Sequence, residues 1–304
     1  MEELKDKIAV ITGSTRGFGL AIAKAYGEAG AVVIVSSRTK KAVDNSVDML
    51  KTAGFRAGGH VCDVAHLDQV KALQQYVLDT FGGLDIWVNN AGIAGPYGPT
   101  IHLDPEVFEA VTRINVLGTY HGSLVAMRHF LPEGHGTLIN VLGRGARRPT
   151  PFQNAYASSK AWIKSFTLAL AQEYEDRGVR VLAYNPGMMF TDLLLDVEVI
   201  EGYRERLDVF ETIVRMWAQD PRVPAQTMVR LAAGSAGRSG TVVREMRLPA
   251  MIWGALREGV RRLFHRETEP LDMEIETTPA AFRLEDPHDE RKGSERGNST
   301  IKRN

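Results

Sequence analysis

Tyr156 and Lys160 stand one helical turn apart in Tyr156-Ala157-Ser158-Ser159-Lys160, a stretch that reads as helix, so both side chains share a face. A cation held beside a phenol favours the phenolate and lowers its pKa, which makes the tyrosine a proton donor usable near neutral pH. The pair alone fits a tyrosine at the core edge and a lysine in water equally well. The surrounding elements decide.

A second group with chemical potential is Thr12-Gly13-Ser14-Thr15-Arg16-Gly17-Phe18-Gly19. It follows the apolar run Ile8 to Ile11 and precedes Leu20, Ile22, Ala23, Ala25 and Tyr26 at helical spacing. Strand, glycine turn, helix is the order of a dinucleotide site, in which glycines admit a pyrophosphate and the helix N-terminus offers it free amides. The spacing is neither Gly-x-Gly-x-x-Gly nor that of a nucleotide-triphosphate loop, and a purely structural glycine turn stays open. The next strand, Ala31 to Val35, ends in Ser36-Ser37-Arg38, where an NAD site would carry a carboxylate for the ribose. Ser37 and Arg38 there, with Arg16 in the turn, favour the 2′-phosphate of NADP(H) over NAD; two solvated arginines are the alternative.

The elements that must position these residues alternate along the chain. Helices are expected at about 40–52 and 66–81, with strands closing on Val61-Cys62-Asp63-Val64 and running from Leu84 to Val88 into Asn89-Asn90-Ala91-Gly92. A long helix, about 104–130, carries Asn115 in its middle, where asparagine is a poor helix former and either bends the helix or has a task. Strands at 136–142 and 179–184 lead into Gly143-Arg144-Gly145-Ala146-Arg147-Arg148 and Asn185-Pro186-Gly187-Met188. A last strand is expected at about 241–246. Apolar strands separated by amphipathic helices predict an α/β chain: a single doubly wound (Rossmann) parallel sheet of about seven strands with helices on both faces. From Leu193 to Trp217 the chain reads as a helical excursion able to cover a substrate or to pack as ordinary core.

Three segments follow: a catalytic domain over 1–248, a basic amphipathic helix over 249–264, and a polar tail over 265–304, most of it expected to be disordered. The 250–264 helix is expected to dock on its own domain, a partner subunit or, peripherally, a membrane. With 37 basic and 37 acidic residues among 304, no global field draws the chain to nucleic acid. One cysteine, Cys62, excludes an internal disulfide, and the eight histidines show no metal spacing. No signal-like or membrane-spanning run appears, so a cytoplasmic location is expected.

In this order the motifs resemble the short-chain dehydrogenase/reductase family over roughly residues 4 to 248: the Thr12 to Gly19 turn, Asp63-Val64, Asn89-Asn90-Ala91-Gly92, Asn115, Tyr156 with Lys160, and Pro186-Gly187 with Thr191. The resemblance implies nicotinamide binding and hydride transfer between the cofactor and a small-molecule carbonyl or alcohol. It implies that Gly13, Thr15, Gly17, Phe18 and Gly19 cradle the nucleotide, that Asp63 and Val64 meet the adenine, and that Asn90, Ala91 and Gly92 line the cleft. Pro186, Gly187 and Thr191 would border the nicotinamide, Tyr156 would exchange the proton, Lys160 would lower the phenol pKa and hold the ribose, and Asn115 would bind a relay water. A homodimer or homotetramer built on the Asn115 and Tyr156 helices is also implied.

One departure is chemical. The family's usual serine, thirteen residues before the tyrosine, is Gly143 here. Losing such an oxyanion donor costs about 10²- to 10³-fold in rate. Arg144 or a backbone amide beside Gly143 is the expected replacement, with Arg147 and Arg148 placed to meet a substrate carboxylate or to face water. The sequence is similar, more narrowly, to the chlorophyll b reductase branch through Pro186 to Leu195, which implies a large apolar aldehyde, with Met188 at the substrate. The readings left open are an NADP(H)-dependent carbonyl reductase, an NADP-binding sensor or scaffold that lost catalysis with the serine, and epimerase or dehydratase chemistry on the same fold.

Overall fold

The run Ile8 to Ile11 forms β1 (Ile8–Thr12) near the middle of a seven-stranded sheet in the computed structural model, which describes residues 2–207, 209–245, 256, 271 and 273–282. The chain then alternates through α1 (Gly17–Glu28), β2 (Val32–Ser37), α2 (Lys40–Thr52), β3 (Ala57–Val61), α3 (Leu67–Phe81) and β4 (Ile86–Asn89). α4 (Pro105–Val111), a π-helical turn (Thr112–Leu117) and α5 (Gly118–Glu133) follow without a break. β5 (Gly136–Val141), α6 (Asn154–Glu173), β6 (Val179–Asn185), α9 (Arg222–Ala233) and β8 (Val242–Arg244) complete the layer, the intervening α7, β7 and α8 being given below.

The strand order is β3-β2-β1-β4-β5-β6-β8 and every pairing is parallel. The strands are buried on both faces, as crossover helices require. Ile11, Val33 and Val35 pack under α1 and α9, while Val10, Ile34 and Trp87 pack on the other face against Leu73 of α3 and Phe130 of α5. The order reverses between β1 and β4, so the carboxyl ends of these strands splay into a crevice, the place where such sheets bind ligands.

One expectation fails. The segment 193–217 is not a continuous helix: α7 (Asp192–Leu195) gives way to β7 (Asp196–Ile200), then a 3₁₀ turn and α8 (Phe210–Trp217). β-Branched Val197, Val199 and Ile200 favour extended backbone there. Within the polar tail, β9 (Glu274–Thr278) pairs with β7 in parallel, from Asp196 beside Glu274 to Ile200 beside Thr278. An exposed strand edge supplies backbone bonds that local composition does not advertise. The amphipathic helix expected at 249–264 lies outside the described residues apart from Leu256, as does the boundary at 248. Among the described residues no helix is long and apolar enough to cross a membrane.

Candidate active site

Gly13 turns the chain out of β1 with φ +62, a left-handed conformation that strains any side chain. A Cβ on it would also lie 2.8 Å from the Ala91 Cα, so the turn rests on the chain leaving β4. Buried Thr12 joins the two strand ends: its Oγ1 accepts from the amides of Asn90 at 3.0 Å and Ala91 at 3.1 Å. Asn90 Nδ2 donates back to the carbonyls of Thr12 and Gly13 at 2.9 and 3.1 Å.

α1 starts after Arg16 with no side-chain cap and no acid in its first turn, and the first of its amides bonded to the helix start is that of Leu20, to the Arg16 carbonyl at 3.2 Å. The amides of Gly17, Phe18 and Gly19 therefore have no acceptor within the helix and stand at the positive end of its dipole. That donor set, beside a turn too tight for side chains, fits a dinucleotide pyrophosphate. Phe18 contributes only backbone, its ring lying in the core 6.3 Å from that of Tyr184. Thr15 adjoins the turn, its carbonyl accepting from Ser46 at 3.4 Å.

Ser37 is half-buried at the end of β2 and Arg38 is exposed just after it. Arg16 is paired with Asp192 at 3.0 Å across the crevice mouth, and a Cβ on Gly17 would lie 3.6 Å from Thr191. Asp63 closes a tight turn, its Oδ1 accepting from the Ala65 amide at 3.0 Å, and Val64 is buried against α5 beside Gly118. Pro186, Gly187 and Met188 are held by Gln219, which sequence reasoning missed. Its Nε2 donates to the Pro186 carbonyl at 3.0 Å and its amide to the Met188 carbonyl at 3.1 Å.

Asn115 sits in the π-helical turn, fully buried. Its Oδ1 accepts from the Ile93 amide at 2.9 Å, and its Nδ2 donates to the Ile93 carbonyl and to Ser159 Oγ, each at 3.0 Å. Ser159 Oγ in turn donates to the Tyr156 carbonyl at 2.7 Å. The side chain thus ties the chain after β4 to the Tyr156 helix, and its backbone carbonyl accepts from Thr119 Oγ1 at 2.7 Å. Lys160 is buried; its Nζ donates to the Val141 carbonyl at 3.1 Å and lies 5.6 Å from the centre of the Tyr156 ring. Gly92 makes room for both: a Cβ on it would stand 3.2 Å from Asn115 Oδ1 and 3.7 Å from Lys160 Nζ.

The electrostatics differ from the expectation of a phenol acidified by its lysine. Burial pushes the Tyr156 phenol up to about 12, and burial brings the Lys160 ammonium down to about 8. At this separation desolvation outweighs the ammonium's pull, so the phenol keeps its proton at neutral pH. A held proton is what reduction of a carbonyl consumes.

Gly143 ends the loop from β5 directly at the phenol. A Cβ there would run into the Tyr156 hydroxyl and stand 3.0 Å from its Cζ. The absent serine is therefore also an absent obstacle, and the phenol occupies its space. Two residues on, Gly145 (φ +98) lets the loop lie on Ala157 of α6. Beyond Gly143 opens a cavity of about 620 Å³ bordered by Arg144, Arg147, Arg148, Asn185 and the stacked rings of Tyr97 and Phe152, 5.5 Å apart. β7 builds that aromatic wall: the Tyr97 amide donates to the Glu198 carbonyl, and the Ile200 amide to that of Tyr97.

Residues 7–198 match the family model described as short chain dehydrogenase. The chain belongs to the short-chain dehydrogenase family. Among its relatives, a 4-formylbenzenesulfonate dehydrogenase of Comamonas testosteroni is 35% identical over 206 residues, 67% of this chain and 82% of the relative. A 3beta-hydroxysteroid dehydrogenase of Eggerthella lenta is 37% identical over 63% of this chain and 74% of its own. A 3-ketoacyl-(acyl-carrier-protein) reductase of Brucella melitensis, solved with NADH, superposes with TM-score 0.71 at 30% identity, covering 80% of this chain and 97% of that one. A gluconate 5-dehydrogenase of Burkholderia cenocepacia, solved with NADP and tartrate, gives TM-score 0.71 at 26% identity over 80% and 94%. As a short-chain dehydrogenase the chain is an oxidoreductase, and its seven-stranded parallel sheet is that of its relatives.

Proposed function

We propose that this short-chain dehydrogenase is an NADP(H)-dependent carbonyl reductase in which Tyr156 delivers the proton. The observation that carries the reading is the protonated phenol set against Gly143, the residue that borders an open cavity, with the Lys160 amine on the same helix and the uncapped α1 turn at the neighbouring strand end. The cofactor, when bound, supplies a hydride to the carbonyl carbon. Tyr156 Oη gives its proton to the carbonyl oxygen as negative charge builds there, and the product is an alcohol. Lys160, through its charge, stabilises the phenolate left behind. Asn115 positions both by fastening α6 to the chain after β4. Without the serine, oxygen polarisation falls to Tyr156 and to the backbone and arginine of the Gly143-Arg144 loop.

Ser37 and Arg38 support NADP(H), since a 2′-phosphate is bound by cations and hydroxyls. The likeness of Pro186 to Leu195 to the chlorophyll b reductase branch supports an apolar body behind the carbonyl. Exposed Leu117 and Tyr120, with Trp162 stacked on Phe166 at 4.8 Å, support a homodimer or homotetramer through α5 and α6. The test is NADPH and NADH oxidation across aldehydes from small aliphatic to large aromatic. Wild type is expected to prefer NADPH, Arg38→Asp to lose that preference by about tenfold or more, and Tyr156→Phe to lose about 10²- to 10⁴-fold in kcat. Undiminished turnover by Tyr156→Phe would defeat the mechanism. Tight NADP binding with no turnover on any carbonyl would favour the sensor reading that the missing serine raises.

A further inference from the structure

The cavity beyond Gly143 is electrostatically one-sided. Arg144, Arg147 and Arg148 border it, no carboxylate does, and none of the carboxylates among the described residues forms an ion pair with these three guanidinium groups. Arg16 pairs with Asp192 at 3.0 Å, Arg56 with Asp6 at 2.7 Å and Arg222 with Asp220 at 2.6 Å, whereas Arg144, Arg147 and Arg148 share one cavity with no such partner among the described residues. The chain is neutral overall, so this is a local field rather than a share of a general one. All three side chains are exposed, so the field acts at the mouth of the cavity, where it can draw an anion in.

The same cavity is bordered by the rings of Tyr97 and Phe152, stacked at 5.5 Å, with the Arg206 guanidinium 4.5 Å from the centre of the Phe152 ring and the Gly98 amide donating to the Phe152 carbonyl at 2.8 Å. Gly143 borders the cavity and stands between it and the Tyr156 hydroxyl, into which a Cβ on Gly143 would run. A ligand in the cavity whose carbonyl reaches past Gly143 to that hydroxyl has Tyr97, Phe152 and the three arginines around it.

Resting on the reductase reading for the position of the carbonyl, we propose that the substrate is an anionic carbonyl compound: a planar or apolar body that stacks on Tyr97 and Phe152 and ends in a carboxylate or sulfonate bound by Arg147 and Arg148. Guanidinium forks match the oxygens of either group, and arginine at two successive positions allows one to hold the anion while the other neutralises it. Arg144, nearest Gly143, is left for the carbonyl end. The anion thereby sets the register of the substrate against Tyr156, which is positioning that the missing serine no longer supplies.

The test has a binding arm and a turnover arm on the full chain saturated with NADP or NADPH. Calorimetric titration with benzoate, an unreactive probe, is compared with benzyl alcohol for wild type, Arg147→Gln/Arg148→Gln and Arg147→Lys/Arg148→Lys. Benzoate is expected to bind wild type and to weaken by about tenfold or more in the glutamine variant, with partial recovery in the lysine variant. In turnover, the ratio of kcat/KM for 4-carboxybenzaldehyde over benzaldehyde is expected to exceed about tenfold in wild type and to approach one in the glutamine variant. Equal benzoate binding by wild type and the glutamine variant overturns the proposal, as does a wild-type ratio near one. Tyr156-dependent turnover without arginine-dependent benzoate binding defeats the anion site alone. Arginine-dependent benzoate binding with neither aldehyde reduced defeats the reductase reading alone.

Discussion

Lys160 stands in a site that disfavours the charge its role requires, and the conflict is measurable as stability. The amine is 5% exposed, and burial brings it from 10.5 to about 8. At about 1.4 kcal/mol for each pH unit, that interval penalises the charged folded state by about 3 kcal/mol. Below about 8 both folded and unfolded chains carry the proton and the penalty is in force. Between about 8 and 10.5 the folded chain has released it while the unfolded chain still holds it, so stability rises with pH across this window. Lys160→Met keeps the length of the side chain and removes the titration. Chemical denaturation without cofactor at about pH 7 and about pH 10 isolates the effect when both proteins also carry Tyr156→Phe, because titrating groups remote from Lys160 cancel in the double difference. The protein that keeps Lys160 is expected to gain about 2 kcal/mol on the one that lacks it between these two values. The bond to the Val141 carbonyl does not disturb the comparison, since a neutral amine also donates. A double difference below about 1 kcal/mol would refute the claim that Lys160 is desolvated where the structure puts it. Lys160→Met alone is expected to lose turnover at both values, and retained turnover would remove the amine from the mechanism.

The Gly143 site separates obstruction from donation. Gly143→Ala and Gly143→Ser both force the Tyr156 phenol back by about 1 Å, a displacement that costs on the order of 10²-fold when reacting groups are misplaced, but only serine returns an oxyanion donor. Serine is expected to exceed alanine by about 10²-fold in kcat; equal rates would show that the site does not use a donor there. For Asn115→Ala, the part-buried Ile93 amide and carbonyl lose their partner, while Ser159 Oγ keeps its bond to the Tyr156 carbonyl. At about 1–3 kcal/mol for each unpaired group, a stability loss of at least about 2 kcal/mol is expected in denaturant titration. A loss under about 1 kcal/mol would mean that the clamp between α6 and the chain after β4 is dispensable.

Much of this molecule was legible from local pattern. The runs Ile8 to Ile11 and Ala31 to Val35, and the helices between them, carry their own periodicity, and a parallel sheet is the arrangement in which such units bury both faces. The nucleotide turn was legible because glycine is demanded at its positions, and Tyr156 with Lys160 because one helical turn puts them on one face. Asn115 announced itself by being a poor helix former in mid-helix, and the structure gives the reason as a π-helical turn.

Other features depend on partners remote in sequence. Asn89 takes the Trp87 indole N–H at 2.8 Å and donates to Asn140 Oδ1 at 2.8 Å, and Asn140 donates to Thr167 of α6 at 2.9 Å. This buried network aligns the strand ends with the catalytic helix, yet nothing local distinguishes those asparagines. The aromatic wall rests on β7, whose strand character is completed by β9, about eighty residues further along a stretch whose composition argues for disorder. Backbone bonding across a free edge overrode that composition. The sequence by itself determined that a phenol and an amine meet beside a nucleotide turn, since helix geometry and glycine sterics act over a few residues. Only the tertiary structure decided that burial keeps the phenol protonated, that Gly143 yields its space to the hydroxyl, and that three arginines share a cavity with the rings of Tyr97 and Phe152, because desolvation and concavity arise when distant segments close on one another.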